Sequence, residues 1–225
     1  MSSDRKTAVL FDIDGTLVDS NYAHVDAWWR ACHTAGQDVD AWRIHRCIGM
    51  DSSLLLETLL GSSDSEVATQ AKTFHTAYYA EHFAELHMFA GVRDLLAELD
   101  RRGVAVVLAT SAPEAELAVL RELLDIEGAL WAVTSGDDVE TAKPDPGIVQ
   151  IALDRAGVDA DAAVMVGDAT WDVEACVRAG VRCIGVRTGG ISGDELREAG
   201  AVAVYDDVAQ LLAQLDDSPI AALAS

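Results

Sequence analysis

TAVLFD, residues 7–12, is a continuous apolar run that ends in a carboxylate, with Gly15 three positions further on. A run this short and this apolar, bounded by a turn residue, reads as a strand buried on both sides that feeds a loop. The same design recurs at VAVVLAT (104–110), AAVMVGD (162–168) and VRCIGV (181–186), and each run is followed by a helical pattern. Wholly apolar strands alternating with helices imply a parallel sheet covered on both faces, an α/β, doubly wound, Rossmann-like core. Ligands of such sheets bind beyond the carboxyl ends of the strands. Asp12, Thr110 and Asp168, which end three of the runs, are therefore expected along one edge.

Residues 21–87 behave differently. Helical periodicity runs through AHVDAWWRACHTAG (23–36), closed by Gly36, through SLLLETLL (53–60) and through EVATQAKTFHTAYYAEHF (66–83), with no strand pattern. The simplest arrangement is an α-helical cap inserted after the loop of the first strand, giving a core of residues 1–17 and 88–225 and a cap of residues 18–87. The last stretch, DDSPIAALAS (216–225), reads as a loosely held tail.

Half of the 225 residues are hydrophobic, ample for a sizeable buried core without covalent staples. Cys32, Cys47, Cys176 and Cys183 are scattered, with no C-x-x-C pair, and read as reduced core residues. Met1 to Thr7 is polar, and no apolar run approaches the length of a membrane span, so a soluble cytoplasmic protein is expected. Acidic residues outnumber basic ones 38 to 16, a formal charge of -22, which argues against nucleic acid or an anionic membrane as partner. An anionic substrate would have to approach against that field. Its site must then supply concentrated positive charge, most economically a divalent cation with one or two basic side chains.

The chemistry starts at FDIDGTLVDS (11–20), where two carboxylates one residue apart, at a strand end and before Gly-Thr, can aim into one pocket across a tight turn. This segment resembles the first motif of the haloacid dehalogenase-like superfamily. Further motifs follow in the same order: Thr110, Lys143 within TAKPDP, and Asp168 with Asp172 in VGDATWDVEA. The resemblance covers nearly the whole chain, cap included, and within the superfamily is nearest to phosphoglycolate phosphatases and β-phosphoglucomutases.

The resemblance implies a phosphatase in which Asp12 attacks phosphorus as a covalent nucleophile, dividing a hard displacement into two easier ones. Asp14 is then the general acid and base. It implies Mg²⁺ held by the carboxylates of Asp12 and Asp168 and by the backbone carbonyl of Asp14. Lys143 is expected to pair with Asp12 and the phosphoryl group. Thr110, with the amides of Ser111 and Gly15, is expected to bind phosphate oxygens. Asp172 either orients a metal-bound water or Lys143, or caps a helix. In the cap, His24 matches a position that is often histidine in capped members and approaches the site mouth; a half-buried helix histidine is the alternative. Arg46 either meets an anionic substrate tail or is a solvated arginine. Trp28, Trp29 and Trp171 read as core before substrate platform, and the turn IGMDS (48–52) stands beside Arg46.

Related activities fit less well. Haloacid dehalogenases share the nucleophile but lack the second acidic residue, which here is Asp14. β-Phosphoglucomutase-like isomerases carry an arginine for the second phosphate in the cap loop, where this chain reads Gly49-Met50-Asp51-Ser52. Phosphonoacetaldehyde hydrolases need a cap lysine, and Lys72, the only one, lies away from that loop. A non-catalytic binding protein on the same fold would leave four intact motifs without a purpose. The expected substrate is a small phosphorylated metabolite, a sugar phosphate or one resembling phosphoglycolate.

Overall fold

The computed structural model describes residues 7–138 and 143–224. Six strands form one all-parallel sheet: β1 (Ala8–Phe11), β2 (Ala105–Ala109), β3 (Leu130–Thr134), β4 (Ala163–Gly167), β5 (Arg182–Val186) and β6 (Ala203–Tyr205). Their order across the sheet is β3-β2-β1-β4-β5-β6. The chain thus winds outward from β1 in one direction and, after β3, in the other. β1 and β4 flank the point of reversal, where the loops leaving the strands diverge and open a crevice.

The chain also forms ten described α-helices. Four lie between β1 and β2: α1 (Asn21–Thr34), α2 (Ala41–Cys47), α3 (Ser52–Leu60) and α4 (Glu66–Glu81). The others are α5 (Val92–Arg101), α6 (Glu114–Leu124), α7 (Gly147–Ala156), α8 (Thr170–Ala179), α9 (Gly193–Ala199) and α10 (Val208–Ala213). Every residue of β1, β2 and β4 is buried, as the unbroken apolar runs require. Ala8, Leu10, Ala105 and Val107 pack with Ile148, Val149 and Ala152 of α7 and with Val173 and Cys176 of α8. The alternate residues Val9, Phe11, Val106 and Leu108, equally buried, point to the other face. α5 packs against β2 without joining the first cluster and so covers that other face.

Two compact units result. One joins the chain up to Asp19 to the chain from Met88 onward, and the other is Ser20–His87. The first division falls two residues later than the expected 17/18 boundary because Val18 bridges both Asp14 and Met88. Within the helical unit, Val25, Trp28 and Cys32 of α1 meet Ile44 of α2, Leu55 and Leu59 of α3 and Ala68 of α4 in a core of their own. Asp51 caps α3 through the amide of Ser53 at 2.7 Å, so the IGMDS turn serves first as a helix start.

Two features depart from expectation. β3 and β6 were not among the expected strands. They are the sheet's two edges, where most residues are only partly buried, although ALWAV (129–133) and AVAVY (201–205) are unbroken apolar runs. The end of the chain is not loose. Leu215, Ile220 and Leu223 are buried, and the Ser218 hydroxyl donates to the Leu215 carbonyl at 2.7 Å while accepting from the Ile220 amide at 3.2 Å. All four cysteines are buried thiols, and no described helix is long and apolar enough to cross a membrane.

Candidate active site

β1 ends at Phe11, so Asp12 is the first residue past the sheet. Its amide still donates to the Val166 carbonyl of β4 at 3.0 Å, which carries its side chain out at the point of reversal. The backbone then folds back on itself: the amides of Thr16, Leu17 and Val18 all donate to the Ile13 carbonyl. Gly15 turns with φ of 74°, a left-handed conformation that a residue with a side chain adopts reluctantly. The turn leaves Asp14 half-buried beside Asp12. It also carries Thr16, whose hydroxyl donates to Asp168 Oδ1 at 2.9 Å. Thr188, just after β5, donates to the Gly15 carbonyl at 2.5 Å and fixes the far side of the turn.

Lys143 lies 131 positions from Asp12 in the sequence and is only 2% exposed. Its ammonium sits 2.5 Å from Asp12 Oδ1 and 2.7 Å from Asp172 Oδ1. The other oxygen of Asp172 accepts from the amides of Asp168 and Ala169, at 3.2 and 3.1 Å. Asp172 therefore meets the lysine with one oxygen and the amides at the start of α8 with the other. This works only because Gly167 has no side chain. A Cβ there would come within 2.5 Å of the Asp172 Cβ.

Thr110, at the end of β2, is 1% exposed, and its Oγ1 accepts from the Ala112 amide at 3.0 Å. That leaves the hydroxyl hydrogen to be donated elsewhere. Ser111 is half-buried next to it. Thus Asp12, Asp14, Gly15, Thr110, Ser111, Lys143, Asp168 and Asp172 all belong to the α/β unit, but the Gly15 amide, expected to bind phosphate, instead donates to the Val18 carbonyl at 2.8 Å and closes the turn. His24 and Arg46 belong to the helical one. His24 stacks on Tyr79 at 3.8 Å between ring centroids, and its Nδ1 lies 3.2 Å from His75 Nε2. Arg46 is exposed on α2. Of the flagged tryptophans, Trp28 is buried in the helical core and Trp29 is 46% exposed.

The electrostatics of the site are lopsided. Burial pushes the Asp12 carboxyl up to about 7; Lys143 opposes the rise, while Asp172 and Asp14 add to it. Burial alone would depress the Lys143 ammonium, but Asp12 and Asp172 outweigh it and hold it above the ordinary lysine range. Oxygens of Asp12, Asp168 and Asp172 lie within 4.8 Å of one another, all three residues buried, against a single buried lysine. Three carboxylates and one ammonium leave a deficit of positive charge, which a buried site relieves by protonating a carboxylate, the direction in which Asp12 is shifted, or by taking up a cation. All the donors are oxygens, the set that suits a hard divalent ion.

Residues 9–186 match the family model for haloacid dehalogenase-like hydrolases. The chain belongs to that family. This hydrolase is 35% identical over 217 residues to a phosphoglycolate phosphatase of Rhodospirillum rubrum, covering 91% of this chain and 88% of the relative. A crystal structure of a hydrolase from Pseudomonas syringae superimposes on it with a TM-score of 0.89 at 32% identity, covering 94% and 99% of the two chains. The structure of CbbY from Rhodobacter sphaeroides in complex with phosphate gives 0.75 at 26% identity, covering 94% and 99%.

Two residues around the site escaped the sequence. Thr16 and Thr188 orient Asp168 and the Asp12–Asp14 turn. Thr16 could have been found, since a hydroxyl directly after the turn glycine has few other places to point. Thr188, 173 positions from its partner, carried no signal.

Proposed function

We propose that this hydrolase is a Mg²⁺-dependent phosphatase of small phosphate monoesters, with 2-phosphoglycolate the first candidate substrate. The observation that carries the proposal is the buried trio Asp12, Asp168 and Asp172 against one lysine, 2.5 Å from Asp12. The phosphoglycolate phosphatase relative from R. rubrum supports the choice of substrate.

Asp12 and Asp168, with the Asp14 carbonyl, would hold the cation, and Asp172 would serve mainly to hold Lys143. When bound, Mg²⁺ neutralises charge on the phosphoryl oxygens. Asp12 acts as nucleophile. One of its oxygens forms a bond to phosphorus as the bond to the ester oxygen breaks, and Asp14 delivers its proton to the departing alkoxide. Asp14, now ionised, takes a proton from water. That water attacks the phosphorus of the aspartyl-phosphate, and the Asp12 carboxylate leaves with its electron pair. Lys143 favours the ionised form of Asp12 and aims it, opposing the rise that burial imposes. The Thr110 hydroxyl and the Ser111 amide cradle the non-bridging oxygens, while the Gly15 amide stays engaged by the Val18 carbonyl. His24 and Arg46, both in the helical unit, are the candidates for contacting the rest of the ester.

The test is phosphate release from a panel of metabolite esters that includes 2-phosphoglycolate and hexose phosphates, each with Mg²⁺ and with EDTA. Turnover that requires the metal and is highest with 2-phosphoglycolate is expected. No turnover of any ester with Mg²⁺ would overturn the proposal, and a preference for hexose phosphates would overturn the choice of substrate.

A further inference from the structure

β3 carries none of the chemistry, yet its end is built onto the loop that leaves β2. The buried Thr134 hydroxyl faces two carbonyls, Leu108 at 3.3 Å and Thr110 at 3.2 Å. Two residues on, the Gly136 amide donates to the Ala112 carbonyl at 2.9 Å. Between them, the bare Cα of Gly136 lies against the Ser111 carbonyl so closely that a Cβ would meet its oxygen at 2.6 Å. The carbonyls of Thr110, Ser111 and Ala112 are thus engaged in turn by residues 134–136.

Peptide geometry gives that arrangement a consequence. In a trans peptide the carbonyl and the following N–H point in opposite directions. A Thr110 carbonyl turned toward β3 therefore turns the Ser111 N–H away from it. The neighbour of β2 on that opposite side is β1, whose end carries Asp12. The turn that bears Gly136 is itself braced from behind. The Ser135 amide donates to Asp138 Oδ2 at 2.8 Å, and Arg155 of α7 clasps Asp138 at 2.6 and 2.9 Å while also donating to the Val133 carbonyl. Gly136 cannot easily retreat from Ser111.

We infer that Gly136, with Thr134, is a positioning residue that aims the Thr110–Ala112 loop, and the Ser111 amide in particular, at the phosphoryl group. The inference rests on the reading that this loop binds phosphate. A Cβ at position 136 must displace backbone rather than a pliable side chain. Thr134→Val removes the donor to the Thr110 carbonyl at nearly constant volume.

The experiment compares Gly136→Ala, Thr134→Val and, as reference for the underlying reading, Thr110→Val. It measures KM and kcat for para-nitrophenyl phosphate with Mg²⁺, and competitive inhibition by inorganic phosphate, with folding checked by circular dichroism. Both β3 variants are expected to weaken phosphate inhibition and raise KM about ten-fold, with kcat within roughly three-fold of wild type, since a misaimed loop costs binding before it costs chemistry. Should Gly136→Ala fail to fold, Thr134→Val carries the test. If Thr110→Val weakens phosphate binding and the β3 variants do not, the inference is overturned and the phosphate reading stands. If Thr110→Val has no effect, the reading fails and takes the inference with it. A loss confined to kcat also overturns the inference.

Discussion

Replacing Asp12 by asparagine should make the metal-free protein more stable, although it removes the proposed nucleophile. Burial raises the Asp12 carboxyl from 3.8 to about 7. A rise of roughly three units, at about 1.4 kcal/mol each, means that holding Asp12 ionised costs the folded state up to about 4 kcal/mol at neutral pH and above. Relaxation and water entry reduce this, and about 2 kcal/mol is the working value. For a chain of this size that is an increase in Tm of about 4–8 °C. The sign follows from linkage. A folded-state value above the unfolded one gives a stability contribution present in full below pH 3.8 and lost as pH rises toward 7. Asparagine mimics the protonated acid, so its advantage should be largest above pH 7 and shrink as pH falls toward 4. The assay is thermal unfolding of wild type and Asp12→Asn in EDTA between pH 4 and 8. It is repeated at pH 8 with Mg²⁺, which should raise the wild-type Tm and narrow or reverse the gap. An Asp12→Asn protein less stable than wild type in EDTA at pH 8, or an advantage that does not change with pH, would refute the reasoning.

Lys143→Met should do the opposite, because it leaves Asp12 and Asp172 buried without their ammonium: a loss of about 3–5 kcal/mol in EDTA, read by chemical denaturation. Adding Asp12→Asn to that variant should recover part of the loss, since the two changes share one ion pair. Gly167→Ala forces Asp172 to move by bringing a Cβ within 2.5 Å of its own. It should lower kcat about ten- to a hundred-fold and stability by about 1–3 kcal/mol, and an alanine variant with wild-type kcat would show that Asp172 need not sit where it does.

The sheet's centre was legible because burial on both faces leaves a strand no choice of residue. β1, β2 and β4 are continuous apolar runs that lead into Asp12, Thr110 and Asp168, and β5 is apolar after Arg182. At the edges that constraint relaxes, and all of β3 and β6 but Thr134 and Tyr205 is only half-buried; ALWAV (129–133) and AVAVY (201–205) are nonetheless unbroken apolar runs, a signal of the same kind that the expectation left unused. Losing β3 also hid Thr134 and Gly136, whose contacts with the β2 loop exist only once the strands pair. The chain end was misjudged because its alanines and polar residues conceal two spaced apolar ones, Ile220 and Leu223, that are both buried. Lys143 illustrates a different limit. Nothing in its local sequence reports a carboxylate 131 positions away, and it was placed in the site by resemblance, not by spacing.

The central claim is that Asp12 is the attacking group, and it is tested most directly by Mg²⁺-dependent phosphate release from 2-phosphoglycolate by wild type and Asp12→Asn at matched concentration. Because the variant should be at least as stable as wild type without metal, lost turnover cannot be ascribed to unfolding. A fall of roughly four to six orders of magnitude is predicted, the scale on which removing a nucleophile acts. Turnover within about ten-fold of wild type would contradict the account.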